Sequence, residues 1–381
     1  MHSSHSMVKV LHNRWFTQVL IHLISTLALL VVLEGAAALL IRREPVGVEK
    51  PISTRYRQLA ERKHTQYDAE LGWVNLPNIV LSNLYGAGKH LHLNNLGFRG
   101  RERVEAEVAP MARRIILSGD SFTFGYGVGD EHTWGAGLER RWDHVDVLNM
   151  GLGGYGVDQA YLRYLRDGVT LNHDLHLFSF ITEDFNRMTR PRFMGYGKPV
   201  VTVRDGRLVT EHVPVPPPTV KDGPTRWQAA VQKLNLVRYV NLKVRQLQAK
   251  KLTFWAGAAK ETARHIFMDL HLKHREADRA LALVYLPVGK DYDDSESDHW
   301  RAWLREHAVQ NQWVFIDLVE DLRRLPKEQI TDFFIKGSSI EFTGAEGHYT
   351  EAGNNWVADT LHRHLASHSD IARRLDLPAA L

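Results

Sequence analysis

The chain has 381 residues, 44% hydrophobic and 24% charged, which is enough apolar material for a sizeable core and lacks the bias of a disordered or repetitive chain. Its formal charge is +4, with Lys and Arg spread along the chain and no basic stripe alternating with aromatics, a pattern that argues against a nucleic-acid binder. There is no cysteine, so disulfides, thiolate metal sites and a cysteine nucleophile are excluded.

After a tail of residues 1–15, Phe16 to Ile41 is a run of 26 residues without Lys, Arg, Asp or Pro. At about 1.5 Å rise per residue it is long enough to cross a bilayer. Trp15 and Arg42-Arg43 flank it as interfacial anchors do. Glu34 lies inside the run, and an acid is costly in lipid, so a buried soluble helix is the competing reading. Lys9 and Arg14 precede the run, whereas Arg42, Arg43, Lys50, Arg55 and Arg57 follow it. Counted alone, these charges favour a cytoplasmic main domain.

Residues 42–111 read as a juxtamembrane linker, with Pro45 and Pro51, and an N-terminal extension. Asp68 to Trp73 and Asn94 to Gly100 are turn-rich, with isolated large apolar residues that pin loops. From Arg114 the pattern changes to short apolar runs: Ile115–Leu117, Val145–Leu148, Leu175–Ile181, Leu281–Leu286 and Trp313–Leu318. Helical stretches fall at about 132–142, 157–167, 299–310 and 351–366. This alternation predicts an α/β domain over 112–368, a flavodoxin-like doubly wound parallel sheet covered on both faces, followed by a tail of 369–381. An insertion at about 191–277 interrupts it. There Asp205-Gly206 predicts a hairpin between 198–203 and 207–213, and a proline-rich connector leads to helices over 226–252 and 256–277.

Ser121 follows the first strand through Gly119-Asp120, at the carboxyl end of the sheet where α/β enzymes bind ligands. A serine hydroxyl needs a base, and His348, just before the last helix, is the candidate among 21 histidines. Asn149 to Gly156 is a glycine-rich turn after the second strand that lets backbone approach closely, so the Gly154 amide could join that of Ser121 in holding an oxyanion. It lacks the lysine and spacing of a phosphate loop. His90 and His92 have no evident third ligand nearby, and no metal is expected. Tyr126, Tyr155 and Tyr349 beside these residues are read as core, with a sugar platform as the alternative.

Gly119-Asp120-Ser121, the Asn149–Gly154 loop and the His348 segment together resemble the SGNH (GDSL) hydrolase superfamily. The longer string from Gly119 to Val128 and Asn95-Leu96-Gly97-Phe98-Arg99-Gly100 are similar to membrane-anchored members associated with polysaccharide O-acetylation and deacetylation. The resemblance implies Ser121 as nucleophile, Gly154 as oxyanion glycine and His348 as general base. The sequence departs from the family twice. Glu183 occupies the slot of an oxyanion asparagine, so the donor duty is expected to pass to Thr182 or Asn186 or to be lost, with Glu183 or Asp184 in the site. Ala345 stands where the usual acid lies, and Glu346 matches a variant spacing, so Glu346 is expected to orient His348.

The resemblance thus implies a serine esterase acting on acyl esters, acetyl esters of carbohydrate foremost, with no cofactor and no nucleic-acid partner. It also implies a membrane contact through the N-terminal helix, and a catalytic domain on the periplasmic side of an inner membrane. An O-acetyltransferase and a weakly active scaffold of an exopolysaccharide assembly are the alternatives.

Overall fold

The computed structural model describes residues 4–43, 63–218, 226–231, 233–337 and 342–377. Of the linker and extension expected at 42–111, residues 44–62 lie outside the described residues. Ser4–Arg43 is a single helix, whose stretch Trp15–Ile41 is long and apolar enough to cross a membrane. Only Glu34, Ala37, Ala38 and Ile41 of that stretch are withdrawn from the surface, and their spacing puts them on one helical face.

Five strands, β1 (Arg113–Ser118), β2 (Val145–Asn149), β3 (Leu175–Phe180), β4 (Ala280–Tyr285) and β5 (Val314–Asp317), form one parallel sheet in the order β2-β1-β3-β4-β5. That is the flavodoxin-like order, with its switch point between β1 and β3. Every residue of β3 and β4 is buried, which explains why β4 reads as an apolar run and β3 as one broken only by His176 and Ser179. Alternate side chains feed two cores. Ile115, Leu117, Leu175 and Leu177 pack with Trp134, Val357 and Leu361 from the helices Trp134–Glu139 and Glu351–Ser367. Ile116, Phe178 and Phe180 pack on the other face with Ala263, Phe267 and Trp300.

Small antiparallel pairs surround the sheet. Thr65–Asp68 pairs with Gly72–Asn75 and Ile79–Leu81 with Leu91–Leu93, and both pairs precede β1. Within the insertion, Val200–Arg204 pairs with Arg207–Glu211, and Asp205 and Gly206 take φ of 50° and 72°, as a two-residue hairpin turn requires. A buried ion pair, Lys198 to Asp158 at 2.6 Å, ties this region to the helix Val157–Arg163.

The inserted helices differ from expectation. Arg226–Val231 is short, and Asn235–Glu276 is one helix of 42 residues, so the break falls before Asn235, at Lys233-Leu234, and not near 253–255. No proline interrupts the second stretch, and Ala259, Ala263, Ile266 and Leu270 continue an apolar stripe that the core holds in place. The chain divides into two compact units, residues 1–50 with 220–254, and residues 51–219 with 255–381. The expected insertion is thus shared between them.

Candidate active site

The turn after β1 is set by Asp120, whose side chain accepts the Phe122 amide at 2.8 Å and caps the short helix Ser121–Phe124. Ser121 is therefore the first helical residue, where an amide lacks an intrahelical partner and the helix end favours negative charge. The glycine loop after β2 is held beside it. Leu152 donates its amide to Gly119 O at 3.0 Å, and Asn149 Nδ2 donates to Thr123 O at 2.8 Å. A side chain at Gly151 would meet the Phe124 amide nitrogen at 2.4 Å, so this close approach requires glycine. Gly154 has φ of 80° and a side chain there would meet the Phe193 ring at 2.6 Å, so only glycine fits there too.

His348 is brought in by main-chain pairing: Ile335 donates to His348 O at 2.8 Å, and Gly347 donates to Ile335 O at 2.9 Å. Its Nε2 lies 2.7 Å from Ser121 Oγ across 227 residues of sequence. The ring stacks on Phe122 with centroids 4.4 Å apart and packs against Tyr126 at 5.4 Å. Burial pushes its pKa down to about 4, opposed by the Asp120 carboxylate and by main-chain carbonyls of Glu346 and Ala345. For Nε2 to accept the Ser121 proton, Nδ1 must carry the other. Nδ1 is buried and meets no hydrogen-bond partner among the described residues.

The expected orienting acid is thus not at the imidazole. Glu346 is exposed, and its carboxylate lies over Gly337. The third block also differs from expectation. Glu183 is half-exposed, accepts from Asn186 Nδ2 at 3.0 Å and faces Arg190 at 3.7 Å, so Glu183 and Asn186 satisfy each other. The Thr182 hydroxyl is bonded to Tyr285 Oη at 2.8 Å in the core. Asp184 is buried and caps its own helix, Thr182–Arg187, by accepting the Ile181 amide at 3.0 Å. Tyr126, Tyr155 and Tyr349 are all buried, which excludes them as a sugar platform; Tyr155 donates to Trp73 O and Tyr349 to Pro287 O, each at 2.6 Å. His92 pairs with Asp130 at 2.6 Å.

Sequence reasoning missed two arginines that organise the site. Arg187 Nη1 donates to Asp120 Oδ2 at 2.9 Å, Asp184 Oδ1 at 2.6 Å and Tyr155 O at 3.1 Å, bridging the nucleophile turn, the third block and the glycine loop across the switch point. Burial and the nearby Asp120 push the Asp184 carboxyl well up, with Arg187 opposing. Arg99 is buried and clamps the stretch after Ser121, donating to Phe124 O at 2.9 Å, Val128 O at 2.7 Å and Asp130 Oδ1 at 2.9 Å. The sequence signal was its place in the Asn95–Gly100 segment, there read only as a loop pin.

Beside Gly154 a narrow slot of about 30 Å³ is walled by Trp73, Phe193 and Tyr196. A larger hollow of about 510 Å³ has Tyr85, Lys89 and Asp332 on its walls; the slot includes Gly154 and the hollow does not, and neither is lined by Ser121 or His348.

No protein-family model and no curated protein matches the chain. Three solved structures show the similarity that was found. The first is a member of the lipolytic protein G-D-S-L family from Veillonella parvula DSM 2008, with 16% identity over 66% of this chain and 97% of that one and a TM-score of 0.36. The second is an acetyl xylan esterase, AlAXEase, with 14% identity, 66% and 98% coverage and a TM-score of 0.39. The third is a variant of an acetyl-xylooligosaccharide esterase from Geobacillus Stearmophilus, with 12% identity, 67% and 96% coverage and a TM-score of 0.37. At these identities and TM-scores the likenesses say nothing of activity, and the chemistry is carried by the residues themselves.

Proposed function

We propose that the chain is a membrane-anchored serine esterase of the SGNH type, acting on short acyl esters and foremost on acetyl esters of carbohydrate. The observation that carries this is the 2.7 Å contact between Ser121 Oγ and His348 Nε2 at the switch point of the sheet. Ser121 Oγ attacks the acyl carbon as its proton passes to His348 Nε2, and the developing oxyanion is held by the amides of Ser121 and Gly154. His348 then gives the proton to the departing sugar oxygen, leaving an acyl-serine. Water, deprotonated by His348, cleaves that acyl-serine by the same steps in reverse. The pair works as a dyad: among the described residues neither a carboxylate nor any other hydrogen-bond partner meets Nδ1 behind the imidazole.

The slot beside Gly154, about 30 Å³ between aromatic walls, suits the methyl of an acetyl group. Turnover of p-nitrophenyl esters should therefore fall by about tenfold or more from acetyl to octanoyl. Equal or rising rates would overturn the preference for acetyl.

Phe193 roofs Gly154 and restricts water there, which supports a second reading: transfer of the acyl group to a sugar hydroxyl. Free acetate and acetylated sugar, both measured by mass with candidate oligosaccharides present, separate the two. The hydrogen-bonded Ser121–His348 pair speaks against a scaffold without catalysis. We place the catalytic unit on the outer side of an inner membrane on the strength of the sequence resemblance, against the bare charge count.

A further inference from the structure

The even spread of charge along the chain has one exception. From Arg226 to Phe254 there are seven Lys or Arg and no Asp or Glu. The described part of this stretch also exposes large apolar side chains: Trp227 at 76%, Leu234 at 45%, Val240 at 51% and Val244 at 44%. Scattered singly such residues mean little, but Val240 and Val244 share one face of the helix a turn apart, and Leu234 and Trp227 lie within 18 positions of them. Lys233 and Arg238 are exposed among them, and the Lys243 ammonium sits 5.4 Å from the Tyr239 ring centroid.

Glu34 connects this stretch to the apolar helix. Its Oε1 accepts the Asn235 amide at 2.5 Å and its Oε2 accepts the Leu236 amide at 2.8 Å. These are the first amides of the helix Asn235–Glu276, free of intrahelical partners and at its positive end. An acid inside an apolar span is costly unless paired, and here the pairing comes from the 226–244 segment. Glu34 precedes Arg42 by eight residues, about 12 Å along the helix, so the amides that meet it lie toward one end of the apolar stretch.

We infer that residues 226–244 form a second membrane contact, an interfacial surface for anionic phospholipid pinned to the spanning helix by Glu34. This rests on the reading of Trp15–Ile41 as a membrane span. The exposed aromatic and aliphatic side chains enter the acyl boundary while the Lys and Arg meet phosphate headgroups. Nucleic acid would use the same cations, but it would not account for the exposed apolar residues or for the bond to Glu34.

The absence of cysteine makes the test simple. Val240→Cys in the full chain is labelled with an environment-sensitive fluorophore and reconstituted into vesicles, with Val309→Cys as a solvent-facing control. In phosphatidylglycerol-containing vesicles, brominated acyl chains should quench the label at 240 about threefold more than in phosphatidylcholine alone, and high salt should narrow that difference. Glu34→Ala should reduce the quenching toward the phosphatidylcholine level. A label at 240 that iodide reaches as freely as the one at 309, in a protein that resists alkaline extraction, overturns the proposal and leaves the anchor standing. Extraction of the protein by alkali removes the anchor reading itself. Protection of the label by an oligonucleotide and not by anionic vesicles would assign the surface to nucleic acid and overturn the proposal.

Discussion

Ser121 and His348 are hydrogen-bonded to each other, and if they act as one unit, as proposed, Ser121→Ala and His348→Ala should each lower hydrolysis of an activated acetyl ester by about a thousandfold or more, with the double variant scarcely lower. Circular dichroism confirms that each variant is folded. Glu346→Gln should change the rate by less than about twofold, because the carboxylate stands away from Nδ1. Glu183→Asn should do the same, since its partner is Asn186. A large loss in either would show that the side chain reaches the reacting atoms. The positions of Ser121, Gly154 and His348 were readable because each sits in a motif directly after or before a regular element. That of Glu346 was not: the left-handed Gly347, at φ of 77°, turns this loop in a way that spacing does not reveal. His348, with its pKa pushed down to about 4, stays neutral through the weakly acid range. The acid limb of kcat/KM should therefore fall near that value, and a limb near that of a free imidazole would contradict the packed ring described here.

Between elements, Arg187 is the tie that holds the site in register. Arg187→Met leaves the Asp120 and Asp184 carboxylates buried without their cation, a loss of about 3–5 kcal/mol by analogy with other broken buried pairs. Arg187→Lys should recover part of that stability but not kcat, because lysine keeps a cation but loses the guanidinium plane that lies over the Phe193 ring at 5.0 Å, beside Gly154. Denaturant unfolding and separate kcat and KM values check this, and a Lys variant with full kcat would reduce Arg187 to a structural role. The parallel strands were legible because sheet positions covered on both faces are mostly apolar, as in β4 and, but for His176 and Ser179, in β3. The bridge from Arg187 to Asp120, across 67 residues, leaves only a faint local trace in the three-residue spacing of Asp184 and Arg187. The misplaced helix break shows the converse. Packing of Ala259 to Leu270 against the sheet overrides local sequence at 253–255.

For the whole molecule, a buried histidine cluster sets the acid response. His173 and His274 both meet the Tyr164 hydroxyl, at 3.1 and 3.0 Å, and His176 meets Ser118 Oγ at 2.8 Å. Burial holds His173 down to about 3, His274 down to about 4 and His176 well below its ordinary value. The unfolded chain takes up these protons near pH 6.5, before the folded one does. The stability they contribute is thus present above about pH 6.5 and is lost as pH falls toward the folded values. Thermal unfolding should be nearly flat from pH 8 to 7 and drop steeply between about 6.5 and 4, and a midpoint unchanged down to pH 4 would contradict the neutral cluster. At the same scale, protease added to intact spheroplasts should digest the chain beyond residue 45 if the catalytic unit lies outside the inner membrane. Full protection until lysis would reverse that orientation.

The most direct measurement is covalent labelling of the full-length protein with a fluorophosphonate, with the modified residue located by peptide mass. One adduct on Ser121, absent in Ser121→Ala and formed far more slowly in His348→Ala, is the expected result. A folded wild-type protein that takes no label, or labelling that persists in Ser121→Ala, would contradict a nucleophilic Ser121 activated by His348.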